Sequence, residues 1–198
     1  MDSDGRSLIE LTIAWGNPEV VTVLQEYGAN YNDVTSASGQ AHPVWQAVYD
    51  GHGACIAKIL DGGLSVEYEY RGVRLLQLAI ECNNVEVVRL LIDREVAVNV
   101  PDMRGWTALH SAAYSGNLEV MLLILQKTNN KEPMDQQGWT PLDLATFCKH
   151  DEFMNLLDPE GKVKEFAWMK TGRIPINASS YLLPRVEISA ISGVGEAP

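Results

Sequence analysis

The chain has 198 residues, 46% of them hydrophobic and 21% charged, so it can bury a core and has no need to be disordered. Its formal charge of -11 lies wholly in residues 1–157, because five acids and five bases cancel in residues 158–198. The first fifty residues hold seven acids against the single base Arg6, a field that repels phosphate backbones, so no nucleic-acid partner is expected. Cys55, Cys82 and Cys148 are too few and too scattered for a disulfide framework. The acidic start MDSDGRSLIE is not a signal peptide, and no apolar run approaches the roughly 20 residues needed to span a bilayer. A cytoplasmic protein is expected, with a nuclear one as the second option, and Asn177-Ala178-Ser179 then reads as an unused glycosylation pattern.

In chain order, GRSLIELTI (5–13) opens a first apolar helix, GNPEVV turns it into a second at Gly16, and GANYN (28–32) follows. HPVWQAV (42–48), the turn GHGACI from Gly51 and the tail GLSVE (63–67) restate the arrangement. It recurs in GVRLLQLAI (72–80), NNVEVV from Asn83 and EVAVN (95–99), and again in GWTALHSAA (105–113) and GNLEVM from Gly116. GWTPLDLAT (138–146) and KHDEFM from Lys149 give the fifth copy. The turns start at 16, 51, 83, 116 and 149, separated by 35, 32, 33 and 33 residues, the mark of a repeat array. Thr107 is placed to cap the helix after Gly105, Leu109, Ala112 and Ala113 give it a small-residue face, and Gly116 ends it. The helix from Leu118 to Gln126 is too apolar for one solvated element and must be covered from several sides. No unit buries its own surface, so the array is stable only as a stack.

These segments resemble the ankyrin-repeat family, whose pattern is G-x-T-P-L-H-x-A-A, a G-H turn, E-V-V and G-A-D-V-N. The resemblance implies an all-α right-handed solenoid of stacked helix-turn-helix pairs with short β-hairpin fingers. Residues 1–157 form the array, with units at about 3–33, 37–67, 69–99, 102–132 and 135–157. Several places depart from the pattern. Trp45 stands at the usual histidine position, the connection from Tyr31 to Ala41 is long, and Val73-Arg74-Leu75 breaks the capping pattern. QKTNNKEP (126–133) lacks the glycine after the second helix.

The resemblance places the finger tips and the exposed ends of the first helices on one concave face. Carried over residue by residue, that face holds Trp15, Tyr49, Asp50, Tyr70, Arg71, Glu81, Met103, Arg104, Trp106, Tyr114, Trp139 and Phe147. Seven of the twelve are aromatic in a chain that is 8% aromatic, and aromatic and arginine residues dominate binding hot spots. The expected function is therefore a protein–protein interaction module, an adaptor, regulator or neutralising partner, whose partner is neutral or basic on its contact face. Asn32 and Asn99 occupy the position that asparaginyl hydroxylases modify in this family. A homo-oligomer that covers Leu8, Ile9 and Val23 is a further option.

The alternative is an enzyme in which Asp50, Glu81, His110 and Tyr114, on adjacent first helices, perform proton transfer or isomerisation of a small molecule beneath the tail. Against it, the resemblance gives His110 and His52 structural roles, and no phosphate loop or triad spacing appears. Cys148-x-His150 and His52-x-x-Cys55 lack a second pair at zinc spacing, so neither metal nor cofactor is expected. Asp158-Pro159 stops the array. Beyond it, residues 158–198 read as a C-terminal helix in EGKVKEFAWMKTG followed by an extended tail. This region is either a cap on the last unit followed by a disordered end, or a segment that returns over the groove or pairs with a partner through Tyr181-Leu182-Leu183 and Val186 to Ile191.

Overall fold

The structure is a computed structural model that describes residues 7–29, 43–70 and 72–161, all within one compact unit. The expectations about the 31–41 connection, Asn32, Arg71 and the tail beyond Gly161 lie outside the described residues. Ten α-helices occur among the described residues, arranged as five consecutive pairs. They are α1 (Leu8–Ala14) with α2 (Pro18–Glu26), α3 (Pro43–Tyr49) with α4 (Gly53–Asp61), and α5 (Leu75–Glu81) with α6 (Val85–Asp93). The last two pairs are α7 (Ala108–Ser115) with α8 (Leu118–Leu125), and α9 (Pro141–Cys148) with α10 (Asp151–Leu157). First helices pack on first helices along the series α1, α3, α5, α7, α9, and second helices pack likewise along α2, α4, α6, α8, α10. This is an all-α solenoid with one small sheet, strands β1 (Glu69–Tyr70) and β2 (Val73–Arg74), paired antiparallel as Glu69 with Arg74 and Tyr70 with Val73.

The five turns between paired helices are equivalent corners. Gly16, Gly51, Asn83, Gly116 and Lys149 have φ of 70°, 81°, 59°, 75° and 60°. In four of them the next residue donates its N–H five residues back, Asn17 to Thr12, His52 to Ala47, Asn84 to Ala79 and His150 to Ala145, closing the helix end as a Schellman turn does. The second helix then starts from a cap. Asn17, Asn84 and Asn117 each accept the N–H three residues on, at 3.1, 3.1 and 3.0 Å. His52 and His150 make no such bond, and their rings lie over the corner of the preceding pair instead. A Cβ on Gly16 would fall 2.4 Å from His52 Nδ1, and one on Gly116 would fall 2.6 Å from His150 Cε1. His150 Nδ1 also donates to the Ala113 carbonyl at 3.0 Å. Corner glycine therefore serves twice, for its left-handed backbone and for the room it leaves.

The core runs unbroken between the two helix layers. Ile13, Val44, Ala47, Leu75, Ala79, Leu109, Ala112 and Ala145 from the first helices meet Val21, Ile56, Ile59, Val87, Leu91, Val120, Met121 and Ile124 from the second. Small buried residues on α7, Ala108, Ser111, Ala112 and Ala113, let it approach both α5 and α9. Each buried Leu, Ile or Val contributes about 1.5–3 kcal/mol relative to exposure, and each does so only while the neighbouring pair is in place.

Candidate functional site

The fingers precede the first helices and rest on one another. Met103 N–H donates to the Gly72 carbonyl at 3.2 Å, and Gln136 Nε2 donates to the Met103 carbonyl at 2.8 Å. Only the first of these fingers is a two-stranded hairpin. The next two are tighter loops written D-x-x-G-W. Asp102 Oδ1 accepts the N–H groups of Arg104 and Trp106 at 2.8 and 2.9 Å, and Asp135 Oδ1 accepts those of Gln137 and Trp139, both at 2.8 Å. An aspartate side chain thus does locally what a strand ladder does elsewhere. Both aspartates are buried, both went unremarked in the sequence reading, and D-x-x-G-W occurring twice, 33 residues apart, was the signal that could have found them.

Trp106 and Trp139 correct the expected surface. Both are buried, so neither offers contact area to a partner. Trp106 Nε1 donates to Asp135 Oδ2 of the following finger at 3.1 Å, and the Trp106 ring stacks on His110 at 6.3 Å between centroids. His110, fully buried, supports the same junction. Its Nδ1 accepts the Thr107 N–H at 3.1 Å and its Nε2 lies 3.0 Å from the Trp139 carbonyl. A carbonyl can only accept, so the proton sits on Nε2 and the ring is neutral. Burial lowers its pKa below the ordinary value, chiefly by desolvation, which the Trp139 carbonyl only partly offsets. With both nitrogens engaged, His110 cannot exchange protons with a groove ligand, and it drops out of the acid–base set with Asp50, Glu81 and Tyr114.

The remaining candidates separate into an exposed and a half-buried class. Trp15 at the end of α1 is 76% exposed, Tyr49 at the end of α3 is 52%, Met103 at a finger tip is 65%, and Phe147 on α9 is 42%. Asp50 is exposed beside Tyr49 and accepts from Gln46 Nε2 at 2.7 Å. Tyr70 meets the edge of Trp45 at 5.6 Å, Tyr114 leans on Trp106 at 5.5 Å, and Phe147 meets Trp139 at 5.9 Å. The buried tryptophans therefore act as supports for the aromatic residues that do reach the surface. Leu8, Val23 and Tyr27 are also exposed, on the first pair.

Glu81, Arg104 and Asp102 form a cross-repeat ion cluster. Arg104 Nη2 lies 2.6 Å from both Glu81 Oε1 and Asp102 Oδ2, its Nε donates to Asp102 Oδ2 at 2.7 Å, and its guanidinium lies 4.4 Å over the Trp106 ring. Ser111 Oγ adds a contact to Glu81 Oε1 at 3.4 Å. Burial pushes the Glu81 carboxyl above the usual carboxylate range, and Arg104 only partly restrains it. Arg104 is held above its ordinary value by Glu81 and Asp102, against the pull of desolvation. The two directions describe one cluster: two acids share one base in a place with little water. A cavity of about 320 Å³ lined by Ile92, Glu95, Val96, Val98 and Lys127 includes none of these residues.

The corners, the finger loops and the histidine that ties one unit to the next are the features of one family of repeats, and the family's model, described as "Ankyrin repeats (3 copies)", matches residues 44–134 and 97–165. The chain belongs to the ankyrin-repeat family. Ankyrin repeats are in general protein–protein interaction modules. No curated protein matches the chain. No helix among the described residues is long and apolar enough to cross a membrane, and no group of three or more His, Cys, Asp or Glu side chains among them could hold a metal ion.

Proposed function

We propose that this ankyrin-repeat chain is a binding module that takes its protein partner on the face formed by the ends of the first helices and the finger tips. The observation that carries this reading is the exposure of Trp15, Tyr49, Met103 and Phe147 at equivalent or adjoining positions of the first, second, fourth and fifth units, with half-buried Tyr114 in the fourth. Large apolar side chains held on rigid supports lose little entropy on binding and shed water readily. Tyr49, Tyr114 and Phe147 occupy the same position in three first helices, so the row repeats with the array. The acidic charge of residues 1–157 favours a partner that is neutral or basic where it touches. Five units at about 3–33, 37–67, 69–99, 102–132 and 135–157 are the proposed division of the array.

The test is capture of the partner from the native host on wild-type protein and on Tyr114→Ala with Phe147→Ala. Tyr114 and Phe147 are the residues to truncate and Trp106 is not, because removing a buried tryptophan would damage the fold and the surface together. Loss of the captured partner with an unchanged thermal melt supports the reading, and undiminished capture removes this face as the binding surface.

A further inference from the structure

We infer that Glu81 is the seat for one cationic side chain, lysine or arginine, of the bound partner, a conclusion that rests on the reading of this face as the binding surface. The argument starts from the inventory of oxygens in the ion cluster. Asp102 is fully used: Oδ1 accepts two backbone N–H groups and Oδ2 accepts Arg104. Glu81 Oε1 takes Arg104 and Ser111, whereas Oε2 has no donor among the described residues. The Glu81 side chain keeps 13% of its area exposed, enough for one incoming donor and too little for a full hydration shell. Among the described residues two carboxylates share one guanidinium, so with both acids ionised the cluster keeps one negative charge in surroundings that solvent screens poorly. A cation arriving there removes that excess and meets the open oxygen in one step.

The neighbours match the same ligand. Glu81 is the last residue of α5, and the residues at its position in the adjoining units are Tyr49, the last of α3, and Tyr114 on α7. The units on either side of Glu81 thus present tyrosine at its position, a residue whose ring attracts cations and covers aliphatic stems. Asp50, exposed beside Tyr49, adds a second acid on the approach. An acidic or purely apolar side chain would leave the cluster's charge buried and uncompensated, which selects against such partners.

The experiment pans random displayed peptides of about twelve residues on wild-type protein, then measures the best binder with its central basic residue kept or replaced by norleucine. Lysine or arginine should be enriched, and norleucine should weaken binding about tenfold or more. Glu81→Gln, whose amide oxygen can still accept from Arg104, should bring that ratio close to one while leaving the norleucine peptide's affinity unchanged. Should Glu81→Gln fail to fold, the wild-type ratio between the two peptides must instead shrink as salt is raised. Enrichment of peptides without a base, with binding still lost in Tyr114→Ala, overturns the cation seat and leaves the binding face standing. No enrichment, or binding indifferent to both Tyr114→Ala and Glu81→Gln, overturns both.

Discussion

The junction between the fourth and fifth helix pairs and the junction between the second and third use the same positions, and differ most at the one held by His110. At the former, His110 links its own N-cap to the Trp139 carbonyl of the next unit, Trp106 bonds Asp135, and His150 sits over Gly116 while donating to Ala113. At the latter, Asn84 Nδ2 donates to the Val48 carbonyl at 2.9 Å as His150 does to Ala113, but the position of His110 is held by Trp45, whose buried Nε1 has no partner. At the junction that follows, between the third and fourth pairs, the same position is held by Gln77. Gln77 does reach the next finger, with Nε2 3.3 Å from the carbonyls of Trp106 and Val100, but its Oε1 is orphaned and Arg74 provides no side-chain cap to α5. A buried polar atom without a partner costs about 1–3 kcal/mol, so the C-terminal half is the better bonded half. Stability in a stack is local, set by each interface in turn.

Substitutions should expose that difference, and the largest effect belongs to Trp106. Trp106→Ala removes a fully buried indole and the donor to Asp135 Oδ2, and should cost about 4 kcal/mol in urea unfolding. Gly116→Ala adds a Cβ that meets the His150 ring at a positive φ, and should cost about 2–3 kcal/mol. Gly51→Ala, where the nearest atom would be 3.9 Å away, should cost only the left-handed strain of about 1 kcal/mol. If the two corners respond equally, the histidine ring is not what distinguishes them. Smaller again, Trp45→Phe loses no hydrogen bond and should fall within about 1 kcal/mol of wild type, below Trp106→Phe, which loses one.

Acid should weaken the C-terminal half through His110. Its folded pKa lies below the ordinary value of about 6.5, so the unfolded chain binds the proton more tightly. The neutral ring's contribution is complete above that ordinary value and is lost as pH falls from there through the folded pKa. Unfolding free energy measured across that range should decline in wild type and decline less in His110→Gln.

The repeat was readable because its corners are dictated by local backbone chemistry. Asn83 and Lys149 hold the left-handed conformation that glycine holds at the other three, and the acid-apolar-apolar run after each made them recognisable even without glycine. The burial of Trp106 and Trp139 was not readable in the same way, because a tryptophan after a finger glycine can face solvent or the next finger. What decides it for Trp106 is Asp135 in the following unit, a tertiary partner 29 residues away. The Glu81–Arg104 contact was hidden for a similar reason. Both residues were picked out individually, but only the stacking of one unit on the next brings them within 2.6 Å.

The interlocking of corners has a consequence for how such a chain can be edited. Because Asn83 and Gly116 leave their helices with the same handedness, and Asn84 and Asn117 cap the helices that follow in the same way, removing residues 84–116 would join two ends already shaped for one another. A cut that is not a whole number of units would meet the wrong partner on every rung. The molecule is therefore divisible in whole units of about one turn of its own pattern, and lengthening or shortening by that quantum is the change its architecture absorbs most readily.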